Sequence, residues 1–221
     1  MGDVQAVVDA FLQALDTKRS FVAAHARRVS TYAVRLATQY GLAADVVESI
    51  RLGALLHDVG KLLVPVRILT KPGRLNEQEW IELRAHPDNG IELLERIGLD
   101  DLVRDIVLHH HERHDGKGYP DGLKGIHIGW PVRIVSVVDS FDALTSPREY
   151  RSALSVEAAR ALLSREAGSR FCPWVVSGLL SLPAALLEPG SADAYPDYYL
   201  PDGLPEMSSI HATRIWTVGN R

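Results

Sequence analysis

Five places along the chain set a metal-type ligand at or near the end of an expected helix. They are His25, the pair His57-Asp58, His86, the pair His110-His111, and Asp139. Neutral imidazole and carboxylate oxygen suit first-row divalent ions such as iron, manganese, nickel or zinc. A His-Asp dipeptide at a helix end can aim both side chains at one ion. Asp58 has two oxygens, so it can also bridge a pair of ions ~3.5–4 Å apart, as two-metal hydrolases require. Each residue also has an ordinary structural reading. His25 shares a helix face with Val22 and Val29 and could simply pack. His86 precedes Pro87 and could mark only a helix stop. His57-Asp58 could be a cap followed by a turn. His110 and His111 point ~100° apart on a helix, so one could be core and the other solvent. Asp139 follows an apolar run, Ile134 to Val138, and a carboxylate buried there needs a partner. An arginine would serve as well as a metal.

Composition narrows the choice. The 221 residues hold nine histidines against one cysteine, Cys172, and eight of the histidines lie between His25 and His127. A single cysteine excludes an intrachain disulfide and a cysteine-rich zinc module. Hydrophobic residues at 46% and charged residues at 24% are ordinary for a soluble globular protein and exclude disordered and collagen-like classes. A net charge of −4 offers no bulk attraction to a nucleic-acid polymer or a membrane. The start of the chain has no basic region before an apolar stretch, so no secretory leader is expected. The longest apolar stretch, Val175 to Leu187, is broken by Ser177, Ser181 and Pro183 and falls short of the ~20 residues a membrane span needs. The expected compartment is the cytoplasm.

The elements that must position these ligands read as helices almost throughout. Asp3 to Leu15 carries Val4, Val7, Val8, Phe11, Leu12 and Leu15 on one side, an amphipathic stripe that needs a partner. It reads as a linker or a dimerisation helix. Ser20 is placed to cap a long helix ending at Tyr40, with Gly41 beyond it. Val46 to His57 follows, then a Gly- and Pro-rich stretch of loop or short turns to Arg74. Asn76 and Glu79 form a capping-box pattern for a helix through Ala85. Pro87 is expected to break it, with Asp88 or Asn89 capping the next helix. Asp101 to His111 is another. Arg113 to Gly129 has five glycines and must be a loop, ordered if it matters. Pro131 opens a helix to Thr145, Ser155 caps one to Ala167, and Trp174 to Leu180 forms a last apolar turn or two. No alternation is long enough for a sheet. The expectation is an all-α domain over residues 20–182, preceded by 1–19 and followed by an irregular tail, 183–221.

Three segments carry a resemblance. HDVGKLLVP, from His57 to Pro65, resembles the signature of the HD phosphohydrolase superfamily. HHERHDGKGYPDGLKG, from His110 to Gly125, closely resembles the hallmark of its HD-GYP family. RIVSVVDSFDALTSPREYR, from Arg133 to Arg151, is similar to that family's next block. The weaker blocks HARRVSTYAVRLA, KPGRLNEQEW and AHPDNG occur in the expected order. The resemblance implies a single HD-type bundle of about seven helices with an ordered GYP loop. It implies hydrolysis of cyclic di-GMP to pGpG or GMP by a hydroxide bridging two metals, most often iron or manganese. A phosphodiesterase for another cyclic dinucleotide, such as a cyclic GMP-AMP, or a non-catalytic sensing module are the alternatives.

Carried over residue by residue, the resemblance makes His25, His57, Asp58 and Asp139 the ligands of one metal. Asp58 would bridge to a second held by His86, His110 and His111. Lys61 would donate to a phosphate oxygen, and Arg148 and Arg151 would bind substrate phosphates or guanines. Tyr119 would stack on a base or line the pocket. Asp142 would orient a ligand or bind a substrate group. The loop 115–120 would also offer a docking surface for a GGDEF-type cyclase domain, and the chain could pair as a homodimer. Phe21 stands where some members place a glutamate for a third metal, so a two-metal centre is expected. His109, His114, His127 and His211 have no assigned role.

Overall fold

A computed structural model describes residues 2–18, 22–95, 97–147 and 152–188. Ser20, Phe21, Arg148, Arg151 and nearly all of the tail after 183 lie outside the described residues. Among those described there are nine helices of eight residues or more, one single turn, three 3-10 turns and no strand. The helices are α1 (Gly2–Lys18), α2 (Val22–Gln39), α3 (Ala44–Leu56), α4 (Val66–Leu69, the single turn), α5 (Glu77–Arg84), α6 (His86–Leu94), α7 (Asp101–His109), α8 (Trp130–Thr145), α9 (Val156–Glu166) and α10 (Pro173–Ser181).

Local chemistry accounts for most boundaries. Gly41 ends α2 in the left-handed region, at φ +66°, and its N–H and that of Leu42 close back on Thr38 and Ala37. Asn76 accepts from the Glu79 N–H while the Glu79 carboxylate accepts from the Asn76 N–H, so the expected capping box opens α5. Asp100 and Ser155 cap α7 and α9 through the N–H groups of Val103 and Ala158. The start of α6 differs from expectation. α6 begins at His86, with Pro87 in its first turn, rather than after a cap at Asp88 or Asn89. Proline lacks the N–H that a first turn leaves unpaired anyway, so Pro87 opens this helix instead of blocking it. α5 therefore runs almost directly into α6.

α8 lies at the centre. Val132, Ile134, Val135, Val137, Val138 and Phe141 are all buried, and a helix apolar on every side must be surrounded. Its neighbours Val29, Tyr32, Leu36, Ile50, Leu163 and Leu179 complete one core. A second core forms under α1, where Val8, Leu12 and Leu15 pack with Ala26, Leu56, Leu94, Val103 and Val107. The α1 stripe thus finds its partner inside the chain, not on a linker or a second copy, and the core extends across the boundary expected at residue 19. Lys18 Nζ also donates to the Leu62 carbonyl at 2.5 Å, which ties α1 to the turn beside the His-Asp pair.

Candidate metal centre

The site forms where α3 and α7 end, where α6 begins, and between facing sides of α2 and α8. α3 stops at Leu56. His57 keeps helical angles, but Asp58 moves to φ −99°, ψ 7°, the sparsely populated bridge region. This change of direction lets two consecutive side chains converge. The same device serves His110 and His111. α7 ends at His109, His110 caps it, and the Glu112 N–H closes on the His109 carbonyl at 2.8 Å. Both rings reach the cluster, with centroids 4.1 Å apart and that of His111 4.9 Å from His86. On an unbroken helix one of them would have pointed away.

Asp58 sits at the middle. Its Oδ2 is 2.5 Å from Lys61 Nζ and 3.5 Å from His57 Nε2. Its Oδ1 is 3.4 Å from His86 Nε2 and 3.9 Å from His110 Nε2. On the α2–α8 side, Asp139 Oδ1 lies 3.2 Å from His25 Nε2 and 3.9 Å from His57 Nε2. Two sets of ligand atoms, each within 4.8 Å of one another, result: Asp58 with His86, His110 and His111, and Asp58 with His25 and His57. Asp58 belongs to both.

The donor chemistry fits divalent cations. His57, His86 and His110 each place Nδ1 2.7–2.9 Å from the carbonyl three residues back, that of Ala54, Leu83 and Val107. A carbonyl only accepts, so Nδ1 carries the proton and Nε2 is left with a bare lone pair. His86 Nε2 and His110 Nε2 then face each other at 3.2 Å, a contact without a proton to share. His57 Nε2 and Asp58 Oδ1 are buried with no hydrogen-bond partner. Orphaned buried polar atoms cost ~1–3 kcal/mol each, and cations held among them would satisfy all four.

The electrostatics point the same way. Burial pushes His86 down to about 4 and His111 to about 3, and holds His110 well below its ordinary value. All three rings are therefore neutral at pH 7, the form in which imidazole can bind a metal. Burial would raise Asp58, but Lys61 and the surrounding histidines override it and hold the carboxyl well below its usual range. His25 is the exception. Burial opposes its charge, yet hydrogen bonds to Asp139 and Asp142 lift it to about 9.

Asp142 is not placed to touch substrate. Its side chain has 0% exposure and takes His25 Nδ1 at 2.7 Å and Arg28 Nε at 2.6 Å. Of the two roles expected for it, the geometry leaves the orienting one: it holds the His25 ring so that Nε2 faces Asp139. Tyr119 lies over His111, with ring centroids 4.9 Å apart and 32° between planes. The loop carrying it is ordered. Arg113 pairs with Asp115 at 2.8 Å, the Asp121 N–H donates to Glu112 Oε1, and His109 bridges Asp105 and Asp121 at 2.6 and 2.9 Å. Gly116 takes φ +77°. Gly118 has no positive φ; a Cβ there would meet the backbone N of Arg113 at 2.4 Å. Arg148 and Arg151 lie outside the described residues.

Three contributors escaped sequence reasoning. Arg28 partners Asp142, yet it reads as one more surface arginine of α2. His109, expected to have no role, pins the loop. Gly60 is the third. A Cβ on it would lie 1.8 Å from the His86 carbonyl oxygen, so only glycine lets the His57–Lys61 turn seat against α6. The G within HDVGK was the available signal.

A helical bundle that brings histidines and aspartates from five helices around one carboxylate defines a class of metal-dependent domain. The HD domain family matches residues 9–175, and this chain belongs to that family. It is 41% identical over 170 residues to the cyclic di-GMP phosphodiesterase response regulator RpfG of Xanthomonas campestris, covering 76% of this chain and 45% of that protein. It is 39% identical over 169 residues to the 3′3′-cGAMP-specific phosphodiesterase 2 of Vibrio cholerae, covering 76% and 32%. The chain thus spans less than half the length of these relatives. Among solved structures, a cyclic GMP-AMP specific phosphodiesterase of V. cholerae (V-cGAP3) superposes with a TM-score of 0.63 at 16% identity, over 95% of this chain and 52% of that one. That likeness concerns the fold.

Proposed function

We propose that this chain is a metal-dependent phosphodiesterase that opens cyclic di-GMP to pGpG, GMP or both. The carrying observation is the shared Asp58, with one oxygen facing His57 and the other facing His86 and His110. We assign His25, His57, Asp58 and Asp139 to one divalent ion and Asp58, His86, His110 and His111 to a second, iron or manganese. Such an ion pair would acidify a water and neutralise charge on a phosphate oxygen. The protein supplies the rest. Lys61, 27% exposed beside Asp58, donates to a phosphate oxygen while holding the bridging carboxylate. The neutral histidines bind without first losing a proton. Tyr119 walls one side of the site over His111, and Arg148 and Arg151 hold substrate phosphates or guanines.

Relatives with cyclic di-GMP and with 3′3′-cGAMP in their names match at similar identity, so cyclic GMP-AMP is the second substrate to test. The exposed Lys117, Pro120 and Asp121 suit the loop to docking a GGDEF-type domain. Homodimer formation and a cytoplasmic place complete the proposal. The buried stripe of α1, Val8, Leu12 and Leu15, is not available to a dimer, and among the described residues no helix is long and apolar enough to cross a membrane.

Purified protein loaded with Mn²⁺ or, anaerobically, Fe²⁺ is expected to release pGpG or GMP, and Asp58→Ala to abolish release. Retained dinucleotide binding with no turnover in either metal would refute catalysis. Normal activity of Asp58→Ala would refute the shared ligand.

A further inference from the structure

Beside the metal cluster a line of rings leads outward. From His111 it passes to Tyr119 at 4.9 Å. The Arg84 guanidinium lies 5.3 Å from the Tyr119 ring and 5.6 Å from the ring of Trp80. Arg84 is exposed, at the end of α5 and two residues before His86. Two acidic residues of its own helix are engaged elsewhere: Glu79 pairs with Lys71 at 2.6 Å and Glu82 with Arg67 at 3.3 Å. Among the described residues Arg84 has no hydrogen bond and no ion pair.

The connection to the catalytic side is direct. The Tyr119 ring meets His111 of the cluster, with centroids 4.9 Å apart, and also carries the Arg84 guanidinium 5.3 Å from its centre. Two aromatic faces hold a guanidinium in place without consuming its N–H donors. Its five donors stay available to an anion, with the planar fork that suits a phosphate. Trp80 is 45% exposed next to it, so an apolar ring face is open alongside.

We propose that Arg84, braced between Tyr119 and Trp80, binds the second phosphate of a cyclic dinucleotide whose first phosphate lies at the metals. The assignment rests on the phosphodiesterase reading above and adds a specificity-determining residue to it. A substrate with two phosphates engages both positions, whereas a simple diester with one phosphate engages only the metals.

The test compares cyclic di-GMP with bis(p-nitrophenyl) phosphate, which carries a single phosphate, on Mn²⁺-loaded protein. Arg84→Ala and Arg84→Gln are expected to raise KM for the dinucleotide by about tenfold or more, the loss typical of a charge-assisted hydrogen bond. kcat should stay within about threefold, and hydrolysis of the simple diester should be unchanged. Arg84→Lys, which keeps charge but not the planar fork, should fall between. Calorimetric binding of a hydrolysis-resistant phosphorothioate analogue should weaken in parallel with KM. An unchanged dinucleotide KM in the Ala and Gln variants overturns the assignment. Equal losses on both substrates also overturn it, because they would place Arg84 in support of the metal site. Wild-type protein that cleaves the simple diester but no cyclic dinucleotide overturns the functional reading itself, an outcome visible before any variant is made.

Discussion

Replacing Gly60 by alanine tests the packing that brings the two halves of the site together. The added Cβ would lie 1.8 Å from the His86 carbonyl oxygen, 2.5 Å from the Gly90 N and 2.8 Å from the His86 carbonyl carbon. All three are backbone atoms, so no side chain can swing aside. Ordinary contact begins near 3.4 Å, so the turn and α6 must separate by more than 1 Å. That motion acts directly on the 3.4 Å gap between His86 Nε2 and Asp58 Oδ1. Overpacking of this kind costs ~1–3 kcal/mol, which for a chain of this size lowers the melting temperature by roughly 2–12 °C. A displacement near 1 Å at a catalytic group costs about 10²-fold in rate. Scanning calorimetry of metal-free protein, metal analysis and phosphodiesterase rates would be measured together. The expected result is a lower melting temperature, loss of the ion held by His86, His110 and His111, and at least a hundredfold loss of rate. Gly73→Ala is the control: its φ of +101° strains alanine, but nothing lies within 4 Å of the added atom, so metal content should hold. Wild-type melting and metal content in Gly60→Ala would refute the reasoning.

Metal uptake should release protons. His25 sits near 9 when metal-free, so at pH 7.5 it must give up its proton to become a ligand. Calorimetric titration in buffers of different ionisation enthalpy should report about one proton per chain, and a value of zero would contradict the Asp139–His25–Asp142 arrangement. Asp142→Asn should weaken binding at the His25 site about 10–100-fold, read by competition with a chelating dye; unchanged affinity would remove Asp142 from its orienting role. Metal-free stability should fall with pH between about 6.5 and 4. In that window the unfolded histidines take up protons that His86, at about 4, and His111, at about 3, refuse in the folded state. His25, raised to about 9, contributes its stabilisation fully below 6.5 and loses it only as pH rises through 9, so it does not mask the effect. Urea titrations at pH 7, 6 and 5 check the sign, and constant stability across them would mean that these rings are not buried neutral.

Linear pattern determined much of this protein. The capping box at Asn76 and Glu79, the glycine after α2, Ser155 and the apolar periodicity are local instructions, and helices followed them. The histidines and aspartate that gather at Asp58 were legible as candidates because metal chemistry restricts which side chains can serve. Tertiary structure decided what depends on distance between segments far apart in sequence. It set His25 against Asp139 and Asp142, over 100 residues away, where the sequence offered only Val22 and Val29 as neighbours. It turned His110 and His111 to the same side by ending α7 at His109. It made Gly60 indispensable through a backbone 26 residues distant. It enlisted Arg28 through Asp142 and His109 through Asp121, carboxylates on other elements. Pro87 shows the limit most simply. As a residue type it stops one helix, but only the fold decides whether it also starts the next.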